Sequence, residues 1–195
     1  MIKSCANKIT SFLFYKNYID NNKYEFEVYL YGFEVLIASI LNILVTLTIG
    51  LLFDKFIHSL VFLACYCPIR QFSGGYHASS YKKCSLIFAL IFLLTVFIDS
   101  NFDFIGLKPI ILLISILNWL NICLLSPVDH THNPLTENEK NKYKRNAILN
   151  TTLVLLFITL SSNFIVTYEY FIYSSLALFW INMMIIIAII KNRRK

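Results

Sequence analysis

Charged residues are scarce in this sequence. They make up 14% of its 195 residues, whereas soluble domains carry about 25%. Hydrophobic residues make up 57%, and the mean hydropathy is +0.64. These values exclude a soluble protein and indicate an integral membrane protein. The chain also lacks repeats of solenoid length and low-complexity linkers, so we predict a single membrane domain over residues 1–195.

The cysteines do not form the pattern of a disulfide scaffold. They are five, an odd number: Cys5, Cys65, Cys67, Cys84 and Cys123. Cys65, Cys67 and Cys123 lie in hydrophobic runs, where cysteine usually serves as a small buried apolar residue. Cys84 differs because Lys82 and Lys83 precede it, and nearby positive charge stabilises a thiolate.

Long hydrophobic runs dominate the chain, and a helix needs about 20 apolar residues to cross a bilayer core. Four runs reach this length: Val35–Phe53, Leu107–Leu125, Ala147–Val166 and Phe171–Ile190. Two shorter runs, Phe56–Ile69 and Ser85–Ile98, are either short spans or a re-entrant hairpin, and we favour short spans. The predicted fold is therefore all-α, a polytopic transmembrane bundle of about six membrane segments.

The amino terminus has a different pattern. Apolar residues at positions 2, 5, 6, 9, 12, 13 and 19 follow a helical spacing, with polar residues elsewhere on the wheel. The apolar run at 12–15 is too short for a signal peptide, so no cleaved targeting segment is predicted. We expect an amphipathic helix at the membrane interface, with an arm packed on the bundle as the alternative.

Basic residues indicate the orientation. With both termini in the cytoplasm and six segments, all but two of the 17 basic residues fall on the cytoplasmic side, the exceptions being Lys55 and Lys108. This arrangement places the loop between the two short segments in the cytoplasm. Pro127 and Pro134 bracket a second loop, 126–136, which a basic helical run, Glu137–Arg145, follows.

The loop between the short segments contains the sequence's main chemical signal. It reads Arg-Gln-Phe-Ser-Gly-Gly-Tyr-His-Ala from Arg70, with Cys84 seven residues after His77. A thiol becomes a good nucleophile when a base takes its proton. In an unbroken helix these two residues would stand about 10.5 Å apart along the axis, so the segment must bend or a substrate must bring them together. A helix beginning near Ser80 would place Cys84 at its amino terminus, which favours a thiolate.

This run, together with Cys84 and the Pro127-Val128-Asp129-His130 turn, resembles the AgrB family of membrane endopeptidases. The resemblance covers nearly the whole chain. It implies a quorum-sensing enzyme that cleaves a membrane-bound AgrD-like propeptide through a thioester on Cys84, with His77 as base. A cysteine of the peptide would then take over the acyl group to form a thiolactone. The resemblance also implies a homodimer.

Further roles follow from the chemistry of acyl transfer, which needs donors to the developing oxyanion. Gln71, Ser73 and the backbone N–H groups near Gly74 and Gly75 are candidates, and Arg70 is a candidate for binding a substrate carboxylate. Loop packing explains the same residues equally well. Asp129 is a candidate for the acid that orients His77.

Two other classes of function stay open. A peptide exporter without catalysis would explain the polar span residues and the basic inner face. A metal-dependent hydrolase would use Asp129, His130 and His132 with Cys84 or His77, but this ligand set is sparse for zinc. We therefore predict no metal, no cofactor and no nucleic-acid partner. The lipid bilayer and the propeptide are the predicted partners. His58 is read as an interfacial histidine, and Asn118 and Asn121 as interhelical hydrogen-bonding residues.

Overall fold

The computed structural model describes residues 2–16, 23–74, 81–102, 104–128 and 136–193. Within these residues the chain is all-helical, as predicted, with two short 3-10 helices at Ile105–Leu107 and Ile165–Thr167. The seven α-helices in these ranges are α1 (Ile2–Tyr15), α2 (Lys23–Leu52), α3 (Phe56–Ser73), α4 (Tyr81–Asn101), α5 (Lys108–Leu125), α6 (Glu137–Ser161) and α7 (Tyr168–Arg193).

Four of these helices are long and apolar enough to cross a membrane. In the described part of the chain these candidate spans are Phe26–Leu52, Lys82–Asn101, Lys108–Leu125 and Tyr168–Asn192. The chain is therefore a membrane protein. The run predicted as the short segment Ser85–Ile98 lies in one of them, because α4 begins four residues earlier and ends three residues later than the apolar run.

The predicted span Ala147–Val166 is wrong at its carboxyl end, because α6 ends at Ser161. The next two residues direct their side chains back to the helix. The Ser162 hydroxyl and the Asn163 amide both donate to the carbonyl oxygen of Thr159, at 2.8 and 3.0 Å. Side chains of this type compete with the backbone for hydrogen bonds and favour helix ends.

By its internal contacts the chain divides into two compact units, the first made of Met1–Thr48 and Ala78–Leu90. Its helix α1 is the predicted amphipathic helix. Ala6 and Thr10 are buried, whereas Lys3 and Lys8 are exposed. Phe14 of α1 meets Phe26 of α2 edge to face, with ring centroids 5.6 Å apart.

The second unit contains Ile49–His77 and Ile91–Lys195. In this unit α7 packs against α3, α5 and α6. Polar side chains join these apolar helices. The Asn182 amide donates to Asn118 at 2.7 Å, both side chains being buried, and this confirms the interhelical role predicted for Asn118. Asn121, by contrast, is exposed.

A charged cluster lies at one end of the second unit. The Lys55 ammonium, between α2 and α3, donates to Glu169 at 2.8 Å and lies 3.1 Å from Asp99. Nε2 of His58 lies 2.5 Å from the same carboxylate of Glu169. His58, which the sequence predicts to be an interfacial histidine, thus pairs with an acidic residue more than a hundred positions away.

Candidate functional site

Cys84 lies in the first turn of α4, four residues into a helix that begins at Tyr81. Its side chain is half-buried, and Lys82 and Lys83 are exposed beside it. The predicted placement of Cys84 near a helix amino terminus is therefore confirmed. The N–H groups at the start of a helix carry partial positive charge.

The amino-terminal half of the motif lies in the second unit, at the end of α3. The helix ends at Ser73, and Gly74 follows with φ +70°, a conformation that favours glycine. The N–H of Val128 donates to the carbonyl oxygen of Ser73 at 3.0 Å. An added Cβ on Gly74 would lie 2.5 Å from the carbonyl oxygen of Val128. Only glycine fits at this position.

Arg70 also belongs to this junction. Its Nη1 donates to the carbonyl oxygen of Gly74 one helical turn later. The hydroxyl of the buried Ser73 lies 3.3 Å from the same oxygen, while Gln71 is exposed. Arg70 thus fixes the backbone where the motif leaves the helix. The roles predicted for these three residues toward a substrate stay predictions.

The basic segment that follows the second loop lies at the beginning of α6. Thr136 and Glu139 form a reciprocal capping box, in which each side chain accepts a hydrogen bond from the backbone N–H of the other. The hydrogen bonds that the Glu139 carboxylate accepts from the backbone N–H and the hydroxyl of Thr136 hold its pKa below the usual value. Tyr143, inside the basic segment, lies against Phe72 of the motif, with ring centroids 5.9 Å apart. The basic segment and the end of α3 are therefore neighbours within the second unit.

Three of the predicted site residues, His77, Gly75 and Asp129, lie outside the described residues. The same holds for His130 and His132 of the alternative metal site. Among the residues that are described, no group of three or more His, Cys, Asp or Glu side chains could hold a metal ion. None of the five cysteines forms a disulfide.

Sequence reasoning missed two contacts of this region. One is the pairing of Ser73 with Val128, although Gly74 and Gly75 follow Ser73 directly and glycine is a signal of close backbone approach. The other is Asn42 of α2, which accepts a hydrogen bond from Ser85, the residue after Cys84, at 2.5 Å. An asparagine inside an apolar run was the available signal.

The apolar helices, one of which carries a thiol in its first turn, define a helical membrane protein with a candidate thiol site. The sequence model of the accessory gene regulator B (AgrB) family matches residues 5–190. The chain therefore belongs to the AgrB family. This membership indicates involvement in peptide processing in agr quorum sensing.

The chain is also similar to curated proteins that are named for this family. AgrB-like protein 2 of Clostridium perfringens (strain 13 / Type A) is 29% identical over 167 residues, which cover 82% of this chain and 74% of the relative. Accessory gene regulator protein B of Staphylococcus aureus (strain bovine RF122 / ET3-1) is 26% identical over 159 residues, covering 72% of this chain and 82% of that protein. No solved structure matches the chain.

Proposed function

We propose that the chain is a membrane cysteine endopeptidase that cleaves an AgrD-like propeptide and promotes its cyclisation to a thiolactone. Cys84 is the nucleophile and His77 is the general base. The observation that carries this proposal is the position of Cys84 in the first turn of α4, beside two exposed lysines, within the part of the chain that matches the AgrB family. A helix amino terminus and cationic neighbours are the surroundings in which reactive cysteines are found.

The first half of the reaction is acyl transfer to the enzyme. His77 takes the proton of Cys84, and the sulfur attacks the carbonyl carbon of the scissile peptide bond. The bond to the leaving nitrogen breaks, and the imidazolium returns its proton to that amine. The carboxyl-terminal part of the propeptide leaves, and the amino-terminal part stays bound to Cys84 as a thioester.

The second half transfers the acyl group within the peptide. The thiol of a peptide cysteine attacks the thioester carbonyl, Cys84 leaves as a thiolate, and the proton of the attacking thiol restores its neutral form. One thioester replaces another, so acyl activation is conserved. Water would instead hydrolyse the intermediate to a linear acid, so the site must exclude water until the peptide thiol arrives.

The junction of Ser73, Gly74 and Val128 supports two further roles. Asp129 follows Val128 directly and His77 follows Gly74 by three residues, and for this reason we retain Asp129 as the acid that orients His77. Backbone N–H groups at Gly74 and Gly75, with Gln71 and Ser73, remain the candidate oxyanion donors. Because Arg70 already fixes the Gly74 carbonyl, its loss would also disturb these donors.

The proposed substrate surface follows from charge and topology. The exposed Lys142, Lys144 and Arg145 lie in the basic segment of α6, which touches the motif through Tyr143 and Phe72. An acidic propeptide tail would be attracted to this segment. We propose that both termini and the catalytic loop face the cytoplasm, that α1 lies in the bilayer interface, that residues 1–195 act as a single domain and that the enzyme is a homodimer.

The experiment that tests the proposal is cleavage of a co-expressed AgrD-like propeptide by Cys84→Ser and His77→Ala variants, with Cys5→Ser as the control for an exposed cysteine. Both site variants should insert normally and lose cleavage, while the control should cleave normally. A peptide exporter without catalysis would tolerate both changes, so retained peptide transport by Cys84→Ser would favour that function, whereas retained cleavage would show that Cys84 is not the nucleophile. Asp129→Asn should lower the rate of cleavage with little change in apparent substrate affinity.

A further inference from the structure

A polar contact between two apolar helices lies directly beside Cys84. The hydroxyl of Ser85 donates to the side-chain oxygen of Asn42 at 2.5 Å, and the two residues are 43 positions apart in the chain. Asn42 is on α2 and Ser85 is on α4, and both belong to the first compact unit. Polar side chains on apolar helices are costly without a partner, and a hydrogen bond between helices fixes their register.

The hydroxyl side chains near Asn42 on α2 make a different kind of contact. Ser39, Thr46 and Thr48 each donate to the carbonyl oxygen four residues earlier on their own helix. These bonds satisfy the hydroxyl groups without joining helices. Asn42 therefore differs from its polar neighbours, because its side chain accepts a hydrogen bond from another element of the unit.

The contact also sets the level of Cys84, meaning its position along the axis of α2. Asn42 is seven residues beyond Val35, where the predominantly apolar run of α2 begins. With a rise of 1.5 Å per residue, it lies about 10 Å inside that run. Because Ser85 reaches Asn42, the first turn of α4 lies at the same level. Cys84 is therefore beside the apolar interior of α2 and not at its charged end.

We propose that Asn42 is a positioning residue that holds the first turn of α4, and with it the thiol of Cys84, at a fixed rotation and at this level. Successive helical residues differ by about 100° around the axis, so fixing Ser85 fixes the direction of Cys84. A site at this level has limited access to water, and the thioester proposed above requires such a site. The inference rests on the proposed role of Cys84.

The test uses the full-length protein in vesicles and N-ethylmaleimide as a thiol probe, with alkylation of each cysteine followed by peptide mass spectrometry. Asn42→Ala and Ser85→Ala remove the contact from either side. Ser85→Thr retains the hydroxyl. Ser39→Ala removes a hydroxyl that bonds only within α2 and is the matched control. Cys5, which is exposed, is the internal reference, and the buried Cys65 reports general loosening.

Loss of the contact should increase the alkylation rate of Cys84 about threefold or more, since the half-buried thiol gains access to the reagent. Cys5 and Cys65 should keep their rates. Cleavage of the co-expressed propeptide should fall about tenfold or more, because a displacement of about 1 Å of a reacting group can cost 10²-fold. Ser85→Thr and Ser39→Ala should behave like the unmodified protein. The double variant should be no worse than either single variant, since both remove one contact.

Three results would overturn the inference. The first is a Ser85→Ala protein with unchanged cleavage and an unchanged rate of Cys84 alkylation. Ser85→Ala is the smallest of the changes, so it decides the question if the Asn42→Ala protein fails to insert. The second is a parallel rise at Cys84 and Cys65, which would indicate general loosening. The third is additive loss in the double variant. If Cys84→Ser itself still cleaves, the proposed function fails first, so the two failures are distinguishable.

Discussion

The backbone N–H of Val128 donates a hydrogen bond to the carbonyl oxygen of Ser73 at 3.0 Å, across 55 positions of sequence. This bond joins the end of α3 to the segment that follows α5, and both segments carry residues of the AgrB-like motifs. The pairing is close because Gly74 has no side chain toward Val128. The two parts of the motif are thus held together by main-chain contacts, which makes the glycine the sensitive position.

Replacing Gly74 by alanine should destabilise this junction. The residue has φ +70°, and the new Cβ would lie 2.5 Å from the carbonyl oxygen of Val128. Strain of this kind costs about 1–3 kcal/mol. We expect a lower midpoint of thermal unfolding in detergent and reduced propeptide cleavage. The control is Gly32→Ala in α2, where an added Cβ would meet nothing within 4 Å. This change should be neutral or slightly stabilising. Equal stability of the two variants would show that the junction tolerates a side chain.

The proposed topology predicts which thiols are reached from each side of the membrane. In intact cells, a membrane-impermeant thiol reagent should leave Cys84 unlabelled, whereas it should label a cysteine placed at Asp103. In inside-out vesicles the pattern should reverse, with Cys84 labelled faster than the buried Cys65. The reason is the distribution of lysine and arginine, which favours the cytoplasmic side for the motif loop. Labelling of Cys84 only from the outer side would contradict the proposed orientation.

Several features of this chain are predictable because they depend on local sequence. The amphipathic pattern of α1, the break before Glu137 and the helix start near Cys84 are all of this kind. The end of α6 at Ser161 was missed, because three apolar residues after Asn163 extend the hydrophobic run although the polar pair Ser162 and Asn163 interrupts it.

The partners in long-range contacts, by contrast, are not predictable from local sequence. The sequence correctly predicts an interhelical role for Asn118, but nothing in its neighbourhood identifies Asn182, 64 positions later, as its partner. The same applies to Ser85 and Asn42, and to Val128 and Ser73. Each pairing depends on how two helices or loops meet, and the register of that meeting is set by packing over the whole unit. Polar residues in apolar runs thus predict that an interhelical contact exists, and the structure identifies the partner residue.

The charged cluster at Lys55 predicts a loss of stability at high pH. Burial lowers the pKa of Lys55, but hydrogen bonds with Glu169 and Asp99 outweigh it and raise the pKa above the usual 10.5. A raised pKa in the folded state means that the stabilisation is fully present below 10.5 and is lost as the pH rises through the folded value. We therefore expect the unfolding midpoint to fall above about pH 10.5 more steeply in the native protein than in Lys55→Met.

The same cluster predicts a cost at neutral pH. Lys55→Met leaves the carboxylate of Asp99, of which 9% is exposed, without its cation. Removing one partner of a buried pair costs about 3–5 kcal/mol, but Lys55 and Glu169 are partly exposed, so we expect about 1–2 kcal/mol. Lys55→Arg, which keeps the charge, is the control. An unchanged unfolding midpoint for Lys55→Met at pH 7 would mean that water and salt already screen the pair.

The basic segment of α6 predicts that cleavage depends on salt. Four cations lie within six residues of its first turns: Lys140, Lys142, Lys144 and Arg145. Lys140 lies 3.4 Å from Glu137, and the other three are exposed. The positive-inside rule alone would place such residues in a cytoplasmic segment, so their presence is no evidence of substrate binding. The contact of Tyr143 with Phe72 is the structural reason to expect more, because it brings this segment to the motif.

If these charges attract an acidic propeptide tail, replacing all four by glutamine should lower the catalytic efficiency of cleavage more than it alters membrane insertion. The loss should shrink as ionic strength rises, since exposed charges interact over only about 8–10 Å at physiological salt. The matched control is Lys3→Gln with Lys8→Gln in α1, which removes exposed cations away from the motif sequence. A neutralised variant with the correct orientation, unchanged cleavage and an unchanged response to salt would leave these four residues as topology signals, and recognition of the propeptide would then have to rest on its apolar contacts.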